Sequence, residues 1–281
     1  MRAYRWMMLS LIALGALVVG TSRDPVRAQP PAPKAKKLAL LVGVNQYDHA
    51  KLSDLKFAER DATELADVLK KAGFETRVLL ASGEKKDRAT VSNARQAIKD
   101  VADGLTKRDL LVVLLSGQGL TLALKDREDA FFCLRDSNPA KPETMLGVSE
   151  VLGTMNESGA GTALLLVDAC RDISDPNRGV GRQLDTVGLR PGVAALLACS
   201  RGQKSYESAD LKHGVFTHAV LTGLRGRAAD KSGVVTLDAL AAHVRQMVPA
   251  TCAKVINGDI EQHPHLIANL AGPPVVLIPG D

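Results

Sequence analysis

Two residues of this chain have types and positions that could do chemistry, Cys170 and Gln118. Cys170 comes two residues after the apolar run "ALLLV" (163–167), and a cysteine held just past a buried strand is a candidate nucleophile. Gln118 follows another apolar run, "LLVVLL" (110–115), inside a Ser-Gly-Gln-Gly turn. Glutamine donates and accepts hydrogen bonds, but it cannot transfer a proton near neutral pH. The sequence therefore offers a candidate nucleophile and a polar residue that could not activate it.

Both residues need a scaffold, and the chain predicts one from about residue 38 onward, because apolar runs of strand length alternate with amphipathic segments of helix length. The predicted strands cover 38–44, 74–80, 110–115, 163–167 and 193–198, with a short extra arm at 130–134. The predicted helices cover 55–69, 91–105, 215–224 and a segment that begins at Thr236. Three of the strands are apolar throughout, as strands buried on both faces are. We therefore expect one α/β domain, residues 38–275, with a mostly parallel sheet and helices on both of its faces.

This architecture predicts where the two residues meet. In an open parallel sheet, ligands and catalytic groups collect beyond the carboxyl ends of the strands. Gln118 and Cys170 each follow such an end within three residues. If their strands are neighbours, at a spacing of about 4.8 Å, both side chains can face one cleft.

The N-terminal segment predicts export. "MRAYRWMMLSLIALGALVVG" places two arginines before an uncharged run, and small residues follow at Val26 and Ala28. This pattern is typical of a signal peptide, here residues 1–28, and implies delivery to the periplasm or the extracellular space. The alternative is an uncleaved membrane anchor, although the run is shorter than the roughly 20 apolar residues that a span needs. Residues 29–37, rich in Pro, Ala and Lys, are expected to form a linker, and 276–281 a short tail.

Charge and cysteine spacing exclude two kinds of partner. The signal segment carries four arginines and one aspartate, so its removal lowers the formal net charge from +5 to +2. No basic stripe with interleaved aromatic residues remains, and we expect no nucleic-acid partner. The four cysteines allow three disulfide pairings in an oxidising compartment, but none forms a C-x-x-C pair. We therefore expect no metal and no cofactor.

The stretches around Gln118 and Cys170 resemble the caspase-like family, including its bacterial members. "DACRD" is similar to the pentapeptide around the family's catalytic cysteine, whose histidine lies about 50 residues upstream. Gln118 lies 52 residues before Cys170, and the family's Ser-Gly-His-Gly motif is Ser-Gly-Gln-Gly in this chain. "LALLVGVNQY", "LKFAERDATELADVL" and "HGVFTHAVLTGLRG" are similar to the family's first strand, first helix and a late helix. The resemblance covers nearly all of residues 38–250 and implies a three-layer sandwich.

The resemblance also implies catalytic roles. Cys170 would be the nucleophile, and the backbone N–H groups of Gly119 and Cys170 would form an oxyanion hole. Gln118 would stand where the family has its catalytic histidine. In the family, the region that corresponds to residues 171–192 is a loop in which self-processing can occur.

Three further residues would bind the substrate. Asp61 and Asp168 match the acids that hold an arginine or lysine side chain in metacaspases and paracaspases, and Ser200, within "ALLACSRGQKSYES", would lie in the wall of the substrate site. The alternatives are that Asp61 faces solvent on an amphipathic helix and that Asp168 caps a turn. A carboxylate at the end of a buried strand favours the pocket for Asp168.

Together these residues predict a pseudoprotease, a caspase-like domain that binds peptide or protein partners through Arg or Lys and hydrolyses them weakly or not at all. Loss of general acid–base catalysis typically slows a reaction by roughly 10²- to 10⁴-fold. The alternative is an active cysteine endopeptidase that cleaves after Arg or Lys, with another base such as His213 in place of Gln118. A third interpretation is a redox or structural module, which a disulfide at Cys170 would mark.

Overall fold

The computed structural model of the chain describes residues 34–123, 128–169, 188–256, 258, 260–270 and 272–280. The predicted signal peptide, most of the linker, Cys170 and most of the 171–192 loop lie outside these residues. Within the described ranges, no helix combines the length and the hydropathy that crossing a membrane requires.

The secondary structure alternates between strands and helices along the chain. The strands are β1 (Lys37–Gly43), β2 (Glu75–Leu80), β3 (Leu110–Ser116), β4 (Gly119–Ala123), β5 (Glu128–Phe132), β6 (Leu146–Gly147), β7 (Thr162–Asp168), β8 (Val193–Leu197), β9 (Glu207–Ser208), β10 (His213–Gly214), β11 (Val235–Thr236), β12 (His265–Asn269) and β13 (Val276–Ile278). The helices are α1 (Ala58–Lys71), α2 (Val91–Ala102), α3 (Val148–Glu157), α4 (Val215–Thr222) and α5 (Leu237–Val255).

A six-stranded sheet in the order β12-β8-β7-β3-β1-β2 forms the centre of the domain. The five strands from β8 to β2 in this order are parallel, and β12 pairs antiparallel with β8 at one edge. Strands β3 and β8 are buried at every position, as the continuous apolar runs predict. The expectation of a mostly parallel central sheet is confirmed.

Helices cover both faces of this sheet. On one face α2 and α3 pack through Ile98 and Leu152 into one apolar cluster with inward-facing strand residues. On the other face α1, α4 and α5 pack through Leu65, Val220 and Val244 into a second cluster. The result is the three-layer α/β sandwich that the resemblance implies.

The carboxyl ends of β3 and β7 lie side by side, because Ser116 pairs with Asp168 in the parallel register. Directly beyond β3 the chain passes through Gly117 and Gln118 into a separate antiparallel sheet of β4, β5 and β6. The two strands that lead to Gln118 and Cys170 are therefore neighbours, as the cleft requires.

Some elements begin at other residues than the sequence predicts, and others were not predicted at all. Helix α1 begins at Ala58 instead of residue 55. Just before it, the Glu207 carboxylate accepts hydrogen bonds from the N–H groups of Lys56 (2.9 Å) and Phe57 (2.8 Å). Helix α3 and strands β4 and β12 have no counterpart in the prediction. Residues 276–278, assigned to a tail, form β13, which pairs with β11 and buries Leu277.

Candidate functional site

Gln118 is held at both its backbone and its side chain by the loop that follows β1. Its backbone N–H donates to the Tyr47 hydroxyl (2.6 Å), which in turn donates to the Val44 carbonyl (3.1 Å). Its side-chain Nε2 donates to the Ser53 carbonyl (3.2 Å). Burial raises the pKa of Tyr47 well above its ordinary value, so the phenol keeps the proton that this relay needs. Gln118 thus serves as a fixed hydrogen-bond donor.

The turn around Gln118 depends on close approach at Gly117. A Cβ atom there would lie 2.9 Å from the Tyr47 hydroxyl oxygen and 3.0 Å from the Phe132 ring. Gly119 opens β4 opposite Phe132, and the Cys133 N–H donates to the Gln118 carbonyl. Because hydrogen-bonded and non-hydrogen-bonded pairs alternate in an antiparallel ladder, the Gly119 N–H points away from β5. That direction suits the oxyanion-hole role predicted for it.

Asp168, the last residue of β7, is buried and bonded on both carboxylate oxygens. Oδ1 accepts from the Ser205 hydroxyl (2.6 Å), and Oδ2 accepts from the Thr217 N–H (3.1 Å) and hydroxyl (2.6 Å). Thr217 lies in the first turn of α4, so Asp168 caps a helix that begins 47 residues later in the chain rather than a local turn. Burial raises the pKa of Asp168, and these hydrogen bonds oppose the rise.

Asp61 lies in the first turn of α1 and only 1% of it is exposed, so the solvent-facing alternative is wrong. Its Oδ1 lies 2.5 Å from Nδ1 of His213, and its Oδ2 accepts from the Gly214 N–H (3.0 Å). Burial raises the pKa of Asp61 to about 7. The bond to His213 works against this rise, while the charge of Asp168 adds to it.

Asp61 and Asp168 meet at Gly214. A Cβ on Gly214 would lie 2.5 Å from Oδ2 of Asp168 and 3.1 Å from Oδ2 of Asp61. Both acids line one cavity of about 90 Å³, and Glu207 lines it as well. None of the described lining residues is Lys or Arg: Leu55, Ala58, Asp61, Ser116, Gly117, Gln118, Asp168, Ser205, Tyr206, Glu207 and Gly214. The cavity is therefore acidic, and it reaches Gln118.

Two other predicted site residues, Gly119 and Ser200, are described but do not line the cavity. Among the described lining residues neither Gly119 nor Ser200 occurs, and the Ser200 hydroxyl donates to the His263 carbonyl (3.1 Å). Ser205, five residues further on, is the serine that bonds to Asp168. Cys170 lies outside the described residues, which end at Ala169 on that side. The roles of Cys170, Gly119 and Ser200 therefore stay predictions.

Sequence reasoning missed several residues that build this site. Tyr47 bonds to Gln118, and Ser205 and Thr217 bond to Asp168. Glu207 lines the cavity and bonds to the Phe57 N–H just before α1. Each of these bonds spans 37 or more positions of the chain. Ser205 and Glu207 do occur in the stretch that resembles the family's substrate wall, but nothing local marks their partners. The pairing of His213 with Asp61 spans 152 positions and was equally out of reach.

Two observations on the described part of the chain bear on metal and redox chemistry. No group of three or more His, Cys, Asp or Glu side chains there has an arrangement that could hold a metal ion. Burial raises the pKa of the Cys133 thiol to about 12 and that of Cys252 to about 11, so both stay protonated. These two thiols are therefore poor nucleophiles.

A three-layer α/β sandwich with an acidic cavity beyond the carboxyl ends of β3 and β7 is consistent with a peptidase scaffold. The family model described as "Caspase domain" matches residues 36–272, and the chain belongs to this family. It is therefore a caspase-like peptidase domain.

Solved structures share this fold. The crystal structure of the protein GSU0716 from Geobacter sulfurreducens has a TM-score of 0.61 and 18% sequence identity, with 85% of this chain and 95% of that chain covered. At that identity the likeness concerns the fold alone. A search of curated proteins found no match.

Proposed function

We propose that this domain is a pseudoprotease that binds a peptide or protein partner by an arginine or lysine side chain and hydrolyses it very slowly or not at all. The observation that carries the proposal is the meeting of three carboxylates, Asp61, Asp168 and Glu207, in one cavity that Gln118 also lines. In this proposal the acidic cavity is the recognition half of a basic-specific peptidase site. At the position where the family has the histidine that transfers protons, this chain has the amide of Gln118.

The acidic cavity supports binding of a cation. Carboxylates held close together in a buried site repel one another, and a cation among them relieves that repulsion. A guanidinium group offers a planar fork of donors that pairs with carboxylates through parallel hydrogen bonds, whereas an ammonium group is a strongly hydrated point charge. We therefore expect Arg to bind more tightly than Lys, and both far more tightly than Asp.

The chemistry at Gln118 supports weak turnover. A cysteine protease needs a base to form the thiolate and an acid to protonate the leaving amine. The Gln118 amide can do neither, and it cannot form the ion pair that would lower the pKa of the Cys170 thiol. We assign the missing role to no other base: His213 is not among the described residues that line the cavity, and its Nδ1 and Nε2 lie 2.5 Å and 3.6 Å from the carboxylates of Asp61 and Glu64.

Binding of a short peptide that ends in arginine amide tests the proposal. Calorimetry with the full chain should show saturable binding of this peptide and none of its aspartate counterpart. Asp168→Asn should weaken Arg binding by about 1.5 to 3 kcal/mol, the range for a hydrogen bond to a charged group. Asp67→Asn is the matched control, because Asp67 is exposed on α1 and does not line the cavity.

Two outcomes would overturn the proposal. Equal binding of the Arg and Asp peptides, or an unchanged affinity in Asp168→Asn, would mean that the cavity does not select cations. Efficient cleavage of an Arg reporter peptide, lost in Cys170→Ala, would show instead an active endopeptidase.

A further inference from the structure

His213 is buried beside the acidic cavity without lining it, and it bonds to one of the cavity's acids. Its Nδ1 lies 2.5 Å from Oδ1 of Asp61, and the next residue, Gly214, donates its N–H to the other oxygen. The two contacts fix the carboxylate of Asp61 at both oxygens. A Cβ on Gly214 would meet both Oδ2 of Asp61, at 3.1 Å, and Oδ2 of Asp168, at 2.5 Å, so the two acids approach the same side of Gly214.

Resting on the proposed function, we infer that His213 is a positioning residue that orients Asp61 in the cavity and favours its ionised form. Binding of a guanidinium side chain is then coupled to release of the proton that Asp61 carries in part of the free protein.

The surroundings of His213 allow such coupling. Glu64 faces its Nε2 at 3.6 Å, but Arg225 and Arg60 already pair with Glu64, and the hydrogen bond from Arg225 keeps the pKa of Glu64 below its ordinary value. The ring centroid of His218 lies 6.0 Å from that of His213. The charged and titratable groups around His213 are Asp61, Glu64 and Arg60 on α1, Asp168 on β7, Glu207 on β9, His218 on α4 and Arg225 in the turn after it.

The sign of the coupling follows from Asp61. Burial raises its pKa to about 7, so below that pH the carboxyl is mainly protonated and the cavity loses one negative charge. A guanidinium binds the ionised form better, and the apparent affinity falls with the fraction of protein in the competent state. Affinity for arginine should therefore rise about tenfold from pH 6 to pH 8, with up to one proton released per ligand bound.

The hydrogen bond from His213 favours the ionised form of Asp61. Replacing His213 by leucine removes that donor and should shift the rise in affinity upward by about one pH unit, with roughly fivefold weaker binding at pH 7. His213→Asn should largely restore the wild-type profile, because its amide nitrogen can occupy a position close to that of Nδ1. If His213 only filled space, the pH midpoint of the rise in affinity would not shift in His213→Leu and return in His213→Asn.

The test is calorimetric titration of the full chain with the arginine-amide peptide between pH 5.5 and 8.5, repeated in phosphate and Tris buffers to count released protons. His218→Asn is the control, since it removes the neighbouring imidazole without touching Asp61. Should His213→Leu fail to fold, Asp61→Asn replaces it and should abolish the rise between pH 6 and pH 8.

The outcomes separate this inference from the proposed function. Arg binding with no pH dependence near pH 7, or with the same profile in His213→Leu or Asp61→Asn as in the wild type, overturns the inference and leaves the proposed function standing. No binding of the peptide at any pH overturns both.

Discussion

Replacing Gln118 by histidine should restore hydrolysis to this domain. The backbone at this position is fixed by Tyr47, and the Ser53 carbonyl, which now accepts from the glutamine amide at 3.2 Å, can accept from one ring N–H of an imidazole. A histidine whose tautomer is set in this way presents its second nitrogen for proton transfer. General acid–base catalysis typically contributes roughly 10²- to 10⁴-fold, or about 3 to 5 kcal/mol of activation free energy.

The assay is cleavage of an arginine reporter peptide, measured as kcat/KM for the wild type and for Gln118→His. We expect a gain of at least about 10²-fold. Gln118→Asn is the matched control, because asparagine is also unable to transfer a proton, and Cys170→Ala in the Gln118→His background should abolish the gain. If Gln118→His binds the reporter but gains no activity, the site lacks more than one residue, and the argument that Gln118 alone limits turnover is refuted.

Three further outcomes follow from the structure and the sequence. Gly214→Ala should abolish Arg binding and destabilise the fold by about 1 to 3 kcal/mol, since the new Cβ would lie 2.5 Å from Oδ2 of Asp168. Gly153→Ala is the control and should do neither, because nothing lies within 4 Å of a Cβ at that position. Thermal melts measure the stability of both variants, and calorimetry measures their binding. Arg201→Gln should lower the free energy of unfolding, measured by urea titration, by about 2 to 3 kcal/mol. The reason is that the buried Glu128 carboxylate loses the two hydrogen bonds, of 2.8 and 2.7 Å, that Arg201 donates to it. A loss below about 0.5 kcal/mol would contradict this. N-terminal sequencing of the protein from its native host should begin within a few residues of Gln29, and an intact Met1 in the membrane fraction would show an anchor instead.

The central sheet could be predicted from the sequence because its signal is local. A strand buried on both faces needs an uninterrupted apolar run, and β3, β7 and β8 each show one. Asp168 was identifiable for the same reason, since a carboxylate at the end of such a run is conspicuous. Strand β12 escaped prediction because it is an edge strand whose side chains are partly exposed, so its apolar signal is weak.

The candidate site was less predictable because its contacts join distant parts of the chain. Helical spacing alone allows Asp61 to face either solvent or the cavity. Its bonds to His213 and Gly214 show that it is turned inward. Glu207 likewise reads as a surface residue until the fold brings it to the start of α1. Side-chain bonds between residues some 150 positions apart leave no pattern in a single sequence.

The central claim, recognition of arginine without turnover, is tested most directly by calorimetric titration of the wild-type chain with a cleavable arginine peptide. The account predicts a saturable binding isotherm, a baseline that stays flat after each injection and intact peptide at the end. A steady heat of hydrolysis that scales with protein concentration and vanishes in Cys170→Ala would contradict the account, and so would the absence of binding.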